Sequence, residues 1–346
     1  MDLSGVTRPV VIPVRLDASG QRGPTPGAAR GPRWRTSSHG FRVPSWVDGA
    51  VVDQRVVEAA AALQEDYGGV TGWAGLGWLS PRWFDGTPWG GGPTRPVTLA
   101  VGGNRWTRQQ KYFETSEERL APGDLIVVDG LRITTPVRSV LFEMRYARNA
   151  RDGAISLSMA CYDDLVSIDE VAAYAATLNG WTGIPQAREA LALACENAWS
   201  PREVAMSHVW MLDAELPQVR YNCPVFDLGG RHIGTPDLLD PVAGVYGQYD
   251  SALHLTGARR AIDLDRDERF LRHGLEGAIM LPGDVVDPTA FVRRLRAAYD
   301  RAAGRSSAGR HWTVEQPPWW IDTTTVAARR ALDSTLRARL LAHRAA

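Results

Sequence analysis

TPDLLDPVAGVYGQYDSALH, residues 235–254, is the stretch whose reading decides the fold. It reads as the end of one strand, His232–Leu238, a short connection, and a second strand, Val242–Tyr249. Pro236-Asp237 closes the first strand, and Gln248-Tyr249-Asp250 follows after ten residues. Side chains alternate along a strand, so Gln248 and Asp250 share a face and Tyr249 takes the other. An aspartate at one strand end, with polar oxygens on the neighbouring strand, is an economical way to hold a hard divalent cation. Such a cation polarises a phosphate and lowers the pKa of its water. Asp237 and Gln248 are therefore the candidate metal residues.

Working outward, a helix opens at Ser200-Pro201, with Ser as N-cap and Pro in the first turn. Glu203 lies in that first turn, and His254 lies four residues beyond Asp250. The candidate catalytic set is Glu203, Asp237, Gln248, Asp250 and His254. Strands are expected near Val219–Asp227, His232–Leu238 and Val242–Tyr249. A helix at Arg259–His273, a strand at Gly277–Leu281 and a helix at Pro288–Ala302 follow. The order is α-β-β-β-α-β-α, and a further helix, Pro185–Cys195, precedes it. Arg259, Arg260 and Arg266, on the helix after the motif, are the candidate DNA contacts.

Upstream, apolar residues at helical spacing predict helices from Val52, over Trp73–Leu79, over Val137–Ala147 and over Ser167–Leu178. Strands are expected at Val97–Val101, Leu125–Val128 and Leu131–Thr134. Asp129-Gly130 marks a hairpin turn, and Asp152-Gly153 marks a break. Residues 1–33 are rich in Gly, Pro and Arg and are expected to be disordered. The predicted organisation is a tail (1–33), a smaller α/β domain (34–182), a second mixed α+β domain (183–304) and a basic helical tail (305–346).

Net charge is zero but unevenly spread: about +5 over residues 1–45, +4 over 305–346 and −9 between them. Basic ends suit phosphate by counterion release, or are simply solvated tails. Lys111 is the one lysine in the chain. Cys161, Cys195 and Cys223 are far apart and odd in number, which excludes a zinc spacing or a disulfide framework. No window of eighteen apolar residues and no signal-peptide pattern occurs, so a cytoplasmic protein without a membrane partner is expected. GlyGlyGly at 90–92 lacks the Lys-Ser/Thr of a phosphate loop, and no nucleophile elbow or His-Glu-x-x-His is present.

The spacing from Asp237 to Gln248 and Asp250 fits the PD-(D/E)xK layout. VYGQYDSALH (245–254), with Asp263, Arg266 and Gly274, resembles the ending of very-short-patch-repair-like endonuclease domains, and SPRE (200–203) resembles their opening helix. The resemblance covers about 100 residues and implies a restriction-endonuclease-like core using Mg2+ to act on DNA. Three positions depart from it: Gln248 replaces Glu, Ser251 replaces Gly, and Ser207 replaces Arg. VTGWAGLGWL (70–79) and GLRITTPVRSVLF (130–142) resemble actinobacterial AbiEi-type proteins, which implies a DNA-binding regulator or antitoxin. No helix-turn-helix is visible before residue 50.

The expectation is a DNA-associated regulator or defence protein with a degenerate metal site, holding Mg2+ weakly or not at all, and not an efficient enzyme. Two rivals remain open. One is an active Mg2+-dependent DNA endonuclease. The other is a toxin-neutralising interaction module without DNA contact. A cognate toxin and a homodimer are the expected protein partners.

Overall fold

The computed structural model describes residues 1–103, 107–250, 257–305 and 310–345, with side chains omitted for 257–264 and 345. The chain is mixed α/β and divides into two compact units, residues 1–148 with 169–187, and residues 149–168 with 188–346. Among the described residues no helix is long and apolar enough to cross a membrane.

In the first unit, β1 (Val14–Arg15), β2 (Trp34–Ser38) and β3 (Phe41–Pro44) form a small antiparallel sheet. Helix α1 (Val52–Ala60) follows, then β4 (Gly69–Thr71) and α2 (Gly72–Leu79). Strands β5 (Val97–Ala100), β6 (Phe113–Ser116), β7 (Leu125–Val128) and β8 (Leu131–Thr134) join β4 in a five-stranded sheet of order β6-β5-β4-β8-β7. The β7–β8 turn is the expected Asp129-Gly130, with φ of 47° and 71°, the left-handed pair that a two-residue hairpin requires. Helix α3 (Pro136–Tyr146) ends this run. Val56, Val57, Trp73, Trp78, Leu99 and Ile133 anchor the apolar core.

The expected disorder of residues 1–33 is not what the structure shows. Leu3 is buried, and Val6, Val10 and Ile12 pack against the same core. Arg8 pairs with Asp53 and Asp129 (3.1 and 3.0 Å) and lies 3.8 Å over the Trp78 ring. The backbone of Val11 exchanges hydrogen bonds with the Gln54 amide. A composition average conceals this. The apolar residues cluster in the first fourteen positions, whereas the Gly/Pro-rich stretch lies largely exposed after them.

Helix α4 (Ala150–Tyr162) belongs to the second unit and α5 (Ile168–Thr177) largely to the first, while α6 (Ile184–Leu193) spans the division. Helix α4 runs straight through Asp152-Gly153, where the sequence predicts a break. Asn149 caps it by accepting the Asp152 N–H (2.9 Å), and the helix is buried along most of its length. Tertiary burial here outweighs the weak propensity of Asp and Gly.

The second unit continues with α7 (Pro201–His208), extended by a π-helical turn (Val209–Asp213). Strands β9 (Arg220–Tyr221), β10 (Val225–Asp227), β11 (His232–Gly234), β12 (Leu238–Asp240) and β13 (Val245–Tyr249) follow. Helix α8 (Gly257–Arg272), β14 (Glu276–Met280), α9 (Thr289–Ala303) and β15 (Trp312–Thr313) come next. The tail is broken into α10 (Val326–Arg330), α11 (Ser334–Leu340) and α12 (Ala342–Ala345). The strands expected at 219–227 and 232–238 are each cut in two. Their halves near the glycine turn form a separate sheet, β11-β10-β15, while β9 and β12 stay with β13 and β14 in the order β14-β13-β12-β9. In the four-stranded sheet, β9, β12 and β13 pair antiparallel, and β14 returns parallel to β13 through α8.

The basic tail docks by its charges. Arg329 is fully buried, pairs with the nearly buried Asp164 at 2.6 Å, and donates to the carbonyls of Cys161, Glu196 and Thr323. Arg337 joins the same carboxylate, and Arg344 stacks 4.4 Å over Tyr162.

Two outcomes follow from this packing. Deleting residues 1–15 removes the burial of Leu3 and the ion pairs of Arg8 with Asp53 and Asp129. At about 2–4 °C per kcal/mol, thermal melting should show a fall of roughly 5–10 °C. Asp164→Ala leaves the buried Arg329 charge unpaired and should cost about 3–5 kcal/mol in urea unfolding. A loss below about 1 kcal/mol, the range of an exposed pair, would contradict the docking.

Candidate functional site

The site is built by strand register. Leu238 faces Gly247 across the β12–β13 ladder, so the next pair outward is Asp237 and Gln248. Gln248 Nε2 donates to Asp237 Oδ1 at 2.6 Å, and the Tyr249 N–H donates to Asp237 Oδ2 at 2.7 Å. The carboxylate is thus gripped at both oxygens by neighbouring donors. The amide orientation follows from chemistry, because the reverse would set a carbonyl oxygen against a carboxylate. Gln248 Oε1 is buried and has no hydrogen-bond partner among the described residues.

Glu203 approaches from α7. Ser200 Oγ accepts the Glu203 N–H (3.2 Å), and Glu203 Oε2 accepts the Trp199 N–H (2.8 Å). This is a reciprocal helix cap reaching one residue further back than the usual box. Asn222 ties the cap to the sheet: its Nδ2 donates to Glu203 Oε2 (2.6 Å), and its N–H donates to the Asp237 carbonyl (2.9 Å). Asn222 has φ of 44°, a left-handed conformation that asparagine tolerates. The sequence reading missed Asn222 and the Trp199 backbone, because no motif spacing marks a residue recruited by a turn.

Glu203 is 6% exposed, and its carboxyl is pushed up to about 8, first by burial and then by the charge of Asp237. Asn222 and the Trp199 N–H act against that rise without cancelling it. Near neutral pH Glu203 is therefore largely protonated beside Asp237.

Of the expected site residues, Glu203, Asp237 and Gln248 converge. Asp250 is half-buried at the strand end, where its N–H donates to the Met280 carbonyl (2.9 Å). No hydrogen bond or ion pair joins its carboxylate to the others. His254 and Ser251 lie outside the described residues, as do the side chains of Arg259 and Arg260. Arg266 is half-buried, with its Nε 3.9 Å from Asp267. Ser207 is fully buried, bonded to the Tyr221 hydroxyl and to the Val204 carbonyl (2.8 Å), so a longer arginine has no room there.

The donor set does not fit magnesium. Among the described residues no three His, Cys, Asp or Glu side chains are placed to hold a metal ion. Among the described residues the carboxylate bonded to Gln248 is that of Asp237, and both its oxygens already accept N–H bonds. A neutral amide adds no charge to offset a divalent ion's lost hydration.

The three cysteines are held toward the thiol form by their environment. Burial raises the thiols of Cys161, Cys195 and Cys223, that of Cys195 to about 12. Comparison with protein-family models, with curated proteins and with solved structures gives no match.

The Glu203 shift has a definite sign. Its folded pKa lies above its unfolded value near 4.3, so between the two the folded chain holds the extra proton. The stabilisation is complete below about pH 4 and is lost as pH rises toward about 8. Glu203→Gln, which keeps an acceptor oxygen and never ionises, should gain stability relative to the natural chain between about pH 5 and pH 8. Each pH unit in that window carries at most about 1.4 kcal/mol, measured by urea unfolding across pH. A difference that stays constant with pH would show that Glu203 ionises normally.

Proposed function

We propose that the chain is a DNA-associated regulator or defence protein whose second unit is a restriction-endonuclease-like domain without efficient catalysis. The order α7, β9, β12, β13, α8, β14, α9 supports this reading. It is the α-β-β-β-α-β-α order of that architecture, with an added β10–β11 hairpin after the first strand. The observation that carries the proposal is the Gln248 amide donating to Asp237 at 2.6 Å. An acidic pair that would hold a cation is replaced by a carboxylate–amide pair that holds itself.

The magnitude favours loss of metal. Removing one unit charge about 4 Å from a cation forfeits up to about 4 kcal/mol at an effective dielectric near 20. Half of that weakens binding roughly 30-fold. DNA association rests on the resemblance and on the basic ends of the chain. Several of those arginines are engaged internally, namely Arg8, Arg35, Arg329 and Arg337. Phosphate contact therefore falls to the remaining exposed arginines. An AbiEi-like regulatory role, a cognate toxin and a homodimer belong to the same reading.

The natural chain should bind duplex DNA with affinity that falls steeply with salt, and should not nick supercoiled DNA in magnesium. Gln248→Glu sets two carboxylates face to face. Its melting temperature should rise on adding magnesium, whereas that of the natural chain should not move. Asp237-dependent nicking by the natural chain would replace this proposal with an active nuclease. Duplex affinity indifferent to salt would remove the DNA-binding part.

A further inference from the structure

The first unit contains a cavity of about 840 Å³ between the β2–β3 hairpin, α1 and residues 94–96 with 111–112. Four cations line it, Arg35, Arg55, Arg95 and Lys111, with two acids, Asp48 and Glu58. The pairing decides which charges remain available. Arg35 forks onto Glu58 (2.8 and 2.5 Å), and Arg95 pairs with the buried Glu143 at 2.7 Å. Arg55 makes no ion pair among the described residues, and the carboxylate whose charge acts on it is that of Asp85. Arg55 lies 4.8 Å over the Trp73 ring and donates to the carbonyls of Asp85 and Arg95. Lys111 also has no ion pair among the described residues and sits 5.2 Å over Tyr112. The Arg95 Nε is buried without a hydrogen-bond partner among the described residues.

Two aromatic rings on the same lining are left to solvent: Trp46 is 76% exposed and Tyr112 55%. An indole left open forgoes the burial that stabilises Trp73 and Trp78 in the core below. Cations without a direct ion pair among the described residues, beside solvent-facing rings, suit a ligand carrying an anion and a planar face. The volume lies within the roughly 300–1,000 Å³ of small-ligand sites and is too small for a duplex.

We propose that this cavity binds a nucleotide. Lys111 and Arg55 meet the phosphate, and Trp46 and Tyr112 stack on the base. Bases stack on aromatic side chains regardless of sequence, and a basic groove holds the strand. The nucleotide is either part of a single strand or free; the recognition chemistry is the same. This site lies in the other unit and stands whether or not the second unit is nuclease-like.

The test is fluorescence anisotropy with a labelled oligothymidine, with calorimetric titration of thymidine monophosphate and of inorganic phosphate as separate arms. Trp46→Ala and Lys111→Gln change exposed side chains and should melt like the natural chain. Each should weaken nucleotide binding about tenfold, a value within the range known for lost base stacking. Because Lys111 is the only lysine, acylation with an amine-reactive ester, mapped by peptide mass, reads its accessibility directly. Bound nucleotide should protect it. Tighter binding of the oligomer than of the monophosphate would identify a strand as the source, and equal binding a free nucleotide. Inorganic phosphate binding as tightly as either would overturn the base-stacking assignment. Nucleotide binding unchanged in both variants, or no nucleotide binding at all, would overturn the proposal.

Discussion

In the second unit the arrangement depends on Gly247 lying against the indole of Trp210. A Cβ at that position would stand 2.9 Å from the Trp210 ring. That close approach seats β13 on the helix face, and the indole is fixed in turn by polar partners. Trp210 Nε1–H donates to the Tyr299 hydroxyl (3.2 Å), and Tyr299 donates to the buried Asp240 (2.7 Å). With Gly247 held on one face, Tyr246 packs on the other against Phe270, ring centroids 4.7 Å apart. Gln248 must then fall opposite Asp237, since a slip of one residue would turn every side chain of the strand over.

The same register explains why one substitution changes the chemistry so much. A strand pair holds its facing side chains a few ångströms apart regardless of their charge. With two carboxylates there, repulsion must be relieved by a proton or a cation. With an amide on one side, the pair satisfies itself, and Tyr249 adds a second donor from the backbone. The site is therefore closed from within, and Glu203 keeps its proton because burial and Asp237 disfavour a second negative charge.

Charge serves packing more than display in this chain. Arg138, Arg145 and Arg329 are each sunk against carboxylates and backbone carbonyls. Such groups hold segments in place because breaking one partner strands the other away from water. In the cavity of the first unit, by contrast, Arg55 and Lys111 make no ion pair among the described residues.

The sequence alone determined what short-range physics controls. The Asp129-Gly130 turn, the Ser200-Pro201 helix start and the ten-residue interval that brings Asp237 to Gln248 were all legible, because dihedral preference and strand alternation act locally. The tertiary structure decided what depends on distant neighbours. It kept Asp152-Gly153 helical by burying α4, and it drew the first fifteen residues and the arginine-rich tail onto the body. It also divided two expected strands between separate sheets and recruited Asn222 to Glu203. Each of these turns on burial or on a partner far along the chain, and neither composition nor periodicity carries that information.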